Sequence, residues 1–415
     1  MLILSHPTGN ANSRQALLAF YERNMLAAFY TTVAWDSNSV WNKLLPRSVT
    51  REMNRRAYPD VPRQFIHTVP IRELCRVLFA RFGMDAFVQN DSPFSVPGIY
   101  RHFDSIVAKA VSSLPPSAVY AYDGGALQTF RTARRMGVKT IYELPTAHTR
   151  FKSEFFREEA ELQPAFAGTF QKALVDSEWL SRKDQELELA DQVIVPSSYV
   201  QSTLPASIPA GRVRVIPYGA PSVLAGGLLH RSKRGRKLRV LYVGTLSQGK
   251  GLSYLLEAIR KVETAVEFTI IGTRVGACKP LDTALQRYHW MPTIPHGAVL
   301  EAMSQHDVLA FPTLSEGLAL VILEAMSRGM AVITTPNSGC LGIITDGKDG
   351  FIVPIRSSDA LAEKLELLAG DRDLLEAMSA AALKRAQECT WQTYRELLAS
   401  AMLDVLNPVG DFKRA

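Results

Sequence analysis

The sequence predicts an α/β protein of two doubly wound, Rossmann-like domains facing each other across a central cleft, and three observations carry that expectation. The chain has 415 residues, enough for two or three domains at roughly 150 residues each. Short β-rich runs alternate with helical stretches along its whole length, the pattern of a parallel sheet with helical crossovers. A Gly-rich and basic stretch, PSVLAGGLLHRSKRGRK at 221–237, separates two such series.

The first series opens with the apolar strand LILS (2–5), the turn-rich HPTGNANS and an amphipathic helix over 14–28. VYAYDGG (119–125), TIYELP (140–145) and QVIVPSS (192–198) read as further strands, with helices over 126–137 and 154–190 between them. VRVIPYG (213–219) closes the series. The second series has strands LRVLYVG (238–244), EFTIIG (267–272), VLAFP (308–312), AVITT (331–335) and GFIVP (350–354). Helices over 251–262, 298–305, 319–329, 357–369 and 371–388 fit between or after them. The expected organisation is therefore a domain over 1–220, a linker over 221–237, a second domain over 238–388, and a closing segment over 389–415.

Composition excludes several classes. Apolar residues are 47% and charged residues 21%, with no biased tract, so disorder, collagen and coiled coil are out. Cys75, Cys278, Cys340 and Cys389 lie far apart, with no pair at metal spacing, and read as reduced thiols. The start, MLILSHPTGNANSR, lacks the basic flank and long apolar centre of a signal peptide, and no apolar run nears the roughly 18–20 residues of a spanning helix. Cytoplasm is the expected compartment, and any membrane contact is peripheral. Charge is uneven: residues 1–152 hold 19 Lys+Arg against 10 Asp+Glu, and 153–415 hold 28 against 30. Lys43, Arg47, Arg51 and Arg55 recur every four residues, and Arg56, Arg63, Arg72, Arg76 and Arg81 follow. That stripe is either a solvated helix face or a contact for an anionic partner such as the inner leaflet. No zinc, homeodomain or RNA-binding signature accompanies it, so nucleic acid is not expected.

Parallel sheets bind ligands beyond the carboxyl ends of their strands, so the chemistry belongs in strand-to-helix turns. The most informative turn is SEGLALVILEAMSRGMAVITT, which places Glu316 and Gly317 at the opening of a helix and Glu324 about two turns on. The amides of Gly317, Leu318, Ala319 and Leu320 are expected to cradle a diphosphate there. Carboxylates repel phosphate, so Glu316 and Glu324 should accept hydrogen bonds from sugar and ribose hydroxyls. A helix rise of 1.5 Å per residue puts Glu324 roughly 9 Å from Leu318, a reach suited to a ribose. The plainer alternative is a capping Glu316 and a solvated Glu324.

This segment resembles the EGxxxxxxE signature of the family 4 retaining glycosyltransferases of the GT-B fold, which transfer sugars from nucleotide sugars. VIPYG (215–219), YVGTLSQGKGLSYLLEAI (242–259), FTIIG (268–272) and DGKDGFIVP (346–354) stand in the family's order. The likeness is dense in the C-terminal half and an outline in the N-terminal half. It implies an acceptor-binding N-terminal domain, a donor-binding C-terminal domain, and a final helix, CTWQTYRELLASAMLDVL (389–406), that crosses back with Trp391 and Tyr394 as anchors. Glu316 inherits the donor sugar, Glu324 the ribose, and the amides from Gly317 to Leu320 the diphosphate. Gly272 falls on the donor side, near loops 272–275 and 290–295 that would hold the base. Family members carry an Arg and a Lys after the first strand of the second domain; here the lysine is Lys250 and Thr245 stands at the arginine's place, with Arg274 a candidate substitute. His148 resembles a histidine near the donor sugar, and Gly9 an N-terminal glycine loop at the donor phosphate; ordinary loop roles are the alternative for both. His6, Asn10, Asp123, Gly124 and Gly125 are further cleft candidates.

The one DxD string, Asp371 and Asp373, opens a helix and reads as capping, so no metal is expected. No cofactor is expected beyond the donor substrate, a UDP- or GDP-sugar. The implied reaction is metal-independent, retaining transfer to a hydroxyl of a glycan, lipid-linked or small-molecule acceptor, with Glu316, His148 and Lys250 as its catalytic residues. Rival readings are a non-catalytic nucleotide-sugar-binding partner and an epimerase or phosphorylase of the same fold.

Overall fold

The computed structural model describes all residues except 37–41, 43–49, 51–52, 55, 90–91, 171–176, 224–234 and 407–415. Lys43, Arg47, Arg51 and Arg55, the core of the predicted basic stripe, lie outside the described residues, as does most of the predicted linker. Two sheets organise the rest. The first contains β1 (Leu2–Ser5), β2 (Leu26–Thr31), β3 (Ile66–Thr68), β4 (Ala118–Tyr122), β5 (Lys139–Glu143), β6 (Gln192–Val195) and β7 (Val213–Val215), in the order β3-β2-β1-β4-β5-β6-β7. The second contains β8 (Leu238–Val243), β9 (Val266–Ile271), β10 (His289–Met291), β11 (Val308–Phe311), β12 (Ala331–Thr334) and β13 (Phe351–Ile352), in the order β10-β9-β8-β11-β12-β13. Every pairing in both is parallel. Helices cover both faces of such sheets, so the central strands are continuous apolar runs. Leu2, Leu4, Val240, Leu241, Val308 and Leu309 are all fully buried or nearly so.

The strand order reverses between β1 and β4 in one sheet and between β8 and β11 in the other. At such a reversal the loops leaving the two neighbouring strands diverge and open a crevice. Thr245 to Gly251 leave β8, and Pro312 to Ala319 leave β11.

The structure corrects several boundaries. The helix predicted over 14–28 spans Ala11–Glu22, capped reciprocally by Asn10 and Ser13. It stops before Asn24, which adopts a left-handed φ of 54°, and the following LAAFYT runs on as β2. The helix predicted over 154–190 is two, Thr149–Leu162 and Ser177–Leu189, because Pro164 supplies no amide and starts a 3₁₀ turn. β3, β10 and the helices Ile71–Arg81, Val96–Ser113 and Lys279–Arg287 were not predicted.

The closing helix Trp391–Leu406 returns to the N-terminal half, where Arg395 bonds Glu22 (2.9 Å) and Gln15 (2.7 Å). Trp391 and Tyr394 pack around Tyr218. The halves also meet through the helix Thr149–Leu162. Its Glu159, 0% exposed, accepts hydrogen bonds from Gln248 Nε2 (2.8 Å), Tyr254 OH (2.9 Å) and Arg356 Nε (2.7 Å).

Candidate functional site

The loop after β8 is built so that one ammonium faces the crevice. Ser247 caps a 3₁₀ turn over Gln248–Lys250, and Gly251 follows at a left-handed φ of 72°. A side chain at Gly251 would begin 2.0 Å from the Pro312 carbonyl oxygen, so only glycine lets the two switch-point loops lie this close. They are stitched together by Leu314 N (3.0 Å) and Thr313 Oγ1 (3.2 Å), both donating to the Gly249 carbonyl. Lys250 Nζ thereby meets Glu316 Oε1 in direct contact.

These residues open onto a cavity of about 360 Å³ between the halves. Thr245, Ser247, Gly249, Lys250, Ser315 and Glu316 form its C-terminal wall, and Thr146, Lys152, Phe156 and Phe170 the N-terminal one. Burial, and then the Lys152 ammonium, pull the Lys250 ammonium down to about 8; the Glu316 carboxylate against it opposes that fall. Lys152 and Phe156 had no signal in the sequence, where they are ordinary members of a helix.

Thr245, Lys250 and Glu316 therefore line one cavity, and the other candidates fall elsewhere. The expected helix start is corrected. The helix begins at Leu320 and not at Gly317, and the Ala319 amide already donates to the Ser338 carbonyl (3.0 Å). Leu318 and Ala319 are each 5% exposed. Gly317 is pressed against the other half: a Cβ there would begin 1.7 Å from Pro145 O, and Ser197 Oγ donates to Gly317 O (2.5 Å). Loops from β5 and β6 thus cover the tip, because glycine presents bare backbone for them to pack on.

Glu324 is on the helix Leu320–Ser327, outside the cavity lining, with Oε1 3.8 Å from His296 Nε2. Burial raises its carboxyl, opposed by His296 and Arg328. His148 also stands outside that lining. It is buried, its amide donates to Thr203 Oγ1 (2.9 Å), its Nε2 lies 3.4 Å from Asp184, and burial lowers its imidazole against the pull of Asp184. Gly9 is left-handed at φ 66°, and a Cβ there would collide with the Tyr58 hydroxyl at 2.0 Å. Gly272 brings the ends of β8 and β9 together, 1.8 Å separating a built Cβ from Gly244 O, and its amide donates to Met291 O (3.0 Å). Asp123 is engaged by Lys183 (2.5 Å) and Tyr142 OH (2.5 Å). Arg274 grips Asp282 at 2.6 and 2.9 Å and does not line the cavity, so it does not stand in for a cation at Thr245. Asp371 accepts from Leu374 N (2.9 Å), the helix cap that its position implied.

The family model for glycosyl transferases group 1 matches residues 230–385. Among curated relatives, the protein named as a colanic acid biosynthesis glycosyltransferase, WcaL of Salmonella typhimurium, is 30% identical over 193 residues, covering 42% of this chain and 47% of the relative. The chain spans less than half the length of the curated relatives it matches. Among solved structures, sucrose-phosphate synthase from Thermosynechococcus elongatus superposes with a TM-score of 0.67 at 16% identity, covering 97% of this chain and 98% of that one. Anabaena HepE in complex with UDP-glucose superposes at 0.60 with 14% identity, over 97% and 98% of the two chains. The fold is GT-B.

Proposed function

We propose, from the match of residues 230–385 to the model of the glycosyl transferases group 1 family, that this chain moves a sugar from a nucleoside diphosphate sugar to a hydroxyl of a glycan or lipid-linked acceptor. The observation that carries the reading is the Lys250–Glu316 contact in a cavity at the β8/β11 reversal. A departing nucleoside diphosphate needs its developing charge met by a preorganised cation, which Lys250 supplies without a metal ion. Glu316, held beside that cation, accepts from sugar hydroxyls and displaces from Lys250 when the donor enters. The acceptor hydroxyl oxygen then bonds to the anomeric carbon as the sugar–phosphate bond breaks, on the retained face in this reading, and its proton passes to the departing diphosphate. HepE, of the same fold, is a UDP-glucose complex, which supports a nucleotide-sugar donor, and CapM of Staphylococcus aureus is named for capsular polysaccharide biosynthesis, which supports a glycan acceptor. With Pro145 and Ser197 over Gly317, donor entry requires the halves to part and close again.

Thermal shift against uridine, guanosine and adenosine diphosphate sugars tests the reading. One of them is expected to raise the midpoint at concentrations well above its Kd and to be consumed when an acceptor extract is added. Binding without consumption under any acceptor would favour a non-catalytic partner, and no binding would remove the donor site.

We further place the acceptor side at an anionic membrane surface. Ile71, Leu74, Leu78 and Phe82 follow helical spacing on and just beyond the helix Ile71–Arg81, and Ile71 and Phe82 are 74% and 72% exposed. A one-sided apolar stripe in the half that holds 19 Lys+Arg against 10 Asp+Glu before residue 153 suits shallow insertion among acidic headgroups. Among the described residues no helix is long and apolar enough to cross a membrane. The double substitution Ile71→Asp, Phe82→Asp is expected to weaken binding to phosphatidylglycerol vesicles at least about tenfold, each lost side chain contributing roughly 1.5 kcal/mol or more. Failure of the unaltered chain to sediment with such vesicles at low salt defeats the placement.

A further inference from the structure

We infer that Lys152 is a second cation of the phosphate site, reaching across from the N-terminal half to hold the terminal phosphate of the nucleoside diphosphate beside Lys250. The inference rests on the donor-site reading above.

Its position comes from the helix that carries it. Lys152, Phe156 and Glu159 are spaced four and three apart, so they share one face of Thr149–Leu162. Phe156 lies 3.1 Å from where a Cβ on Gly249 would stand, and Glu159 is bonded to Gln248 and Tyr254. These two contacts fix that face against the loop after β8. Lys152, one turn nearer the helix start, is thereby directed into the cavity that Lys250 and Glu316 line from the other side.

Its charge has no counterpart in the structure. Among the described residues the Lys152 side chain makes no hydrogen bond or ion pair, and the carboxylate acting on it, Asp123, is engaged by Lys183 and Tyr142. Burial and the Lys183 charge lower the Lys152 ammonium, and Lys152 in turn lowers Lys250. Two mutually repelling ammoniums, one of them half-buried and unpaired, are an unfavourable arrangement that an anion between them relieves. Lys250 alone does not suffice, because it must first be released from Glu316. Thr245, in the same wall, adds a hydroxyl and no charge. A diphosphate carries more negative charge than one compromised lysine neutralises, and the remaining cation in the lining is Lys152. Because the two lysines belong to different halves, the phosphate site is complete only when the halves are closed.

Calorimetry on the full chain with uridine, guanosine and adenosine diphosphates, and with the matching monophosphate of whichever binds, tests this. Lys152→Met is expected to weaken the diphosphate at least about tenfold, the size of one lost charge-assisted contact. It should leave the monophosphate within about twofold and the thermal midpoint unchanged, and Lys152→Arg should restore most of the loss. Equal diphosphate affinity in Lys152→Met and the unaltered chain overturns the assignment, as does equal weakening of mono- and diphosphate. Unchanged diphosphate binding with a raised acceptor KM overturns it in favour of a phosphate on the acceptor. If the unaltered chain binds none of the three diphosphates, the donor-site reading falls first, and this inference with it.

Discussion

Replacing Lys250 with alanine is expected to lower sugar transfer by about 10²–10³-fold, the scale of removing one preorganised group from a developing anion. Its pair with Glu316 is partly exposed, so the fold should lose no more than about 1 kcal/mol. Glu316→Ala should also lose most transfer, but its effect on binding has the opposite sign. Removing the carboxylate frees Lys250, so the affinity for a nucleoside diphosphate stays level or rises while it falls in Lys250→Ala. Calorimetry beside a turnover assay separates the two; weaker diphosphate binding in both would mean that Glu316 does not face the sugar. The pH profile of the unaltered chain carries the same signature. The Lys250 ammonium, drawn down to about 8, is charged below that pH and neutral above it. Donor capture, read as kcat/KM, should therefore fall above about pH 8. A bound diphosphate raises the ammonium again, so kcat should hold to higher pH. Coincident profiles would detach Lys250 from phosphate.

Glu159→Ala is expected to cost about 3 kcal/mol, the low end for breaking a buried ion pair, because its partner Arg356 keeps 24% exposure. Arg356 has a left-handed φ of 61°, which a non-glycine residue adopts only where its surroundings hold it. Here Glu158 (2.7 Å), Glu159 and the face of Phe155 (4.9 Å) do so. Gln248, another donor to Glu159, begins the turn that ends in Lys250. The loss should therefore appear twice: as a lower denaturation midpoint, and as a larger radius of gyration by small-angle scattering with a drop in kcat/KM. A variant as compact and active as the unaltered chain would show that Glu159 does not latch the halves.

The two parallel sheets were legible because their signals are local. Runs such as LRVLYV and VLAF are apolar throughout, as strands covered on both faces must be, and turns at Gly244 and Gly329 punctuate them. The misses have equally local causes. LAAFYT continued the apolar pattern of the preceding helix, and only the left-handed Asn24 divides them. Glu316 could be chosen because it stands in a strand-to-helix turn, and Lys250 because GTLSQGKG resembles the family's loop at that place. His148 follows a strand just as they do, yet packing against Asp184 and Thr203 takes it out of the cavity.

By itself the sequence determined most of the strand segments, β2, β3 and β10 excepted, and which loops leave their carboxyl ends, since periodicity and turn chemistry act over a few residues. The tertiary structure alone decided what those loops face. Lys152 meets the Lys250 wall, Glu159 meets Gln248 across 89 positions of chain, and Pro145 covers Gly317. Contacts of that kind depend on how two separately wound halves close on each other, and no window of neighbouring residues carries that geometry.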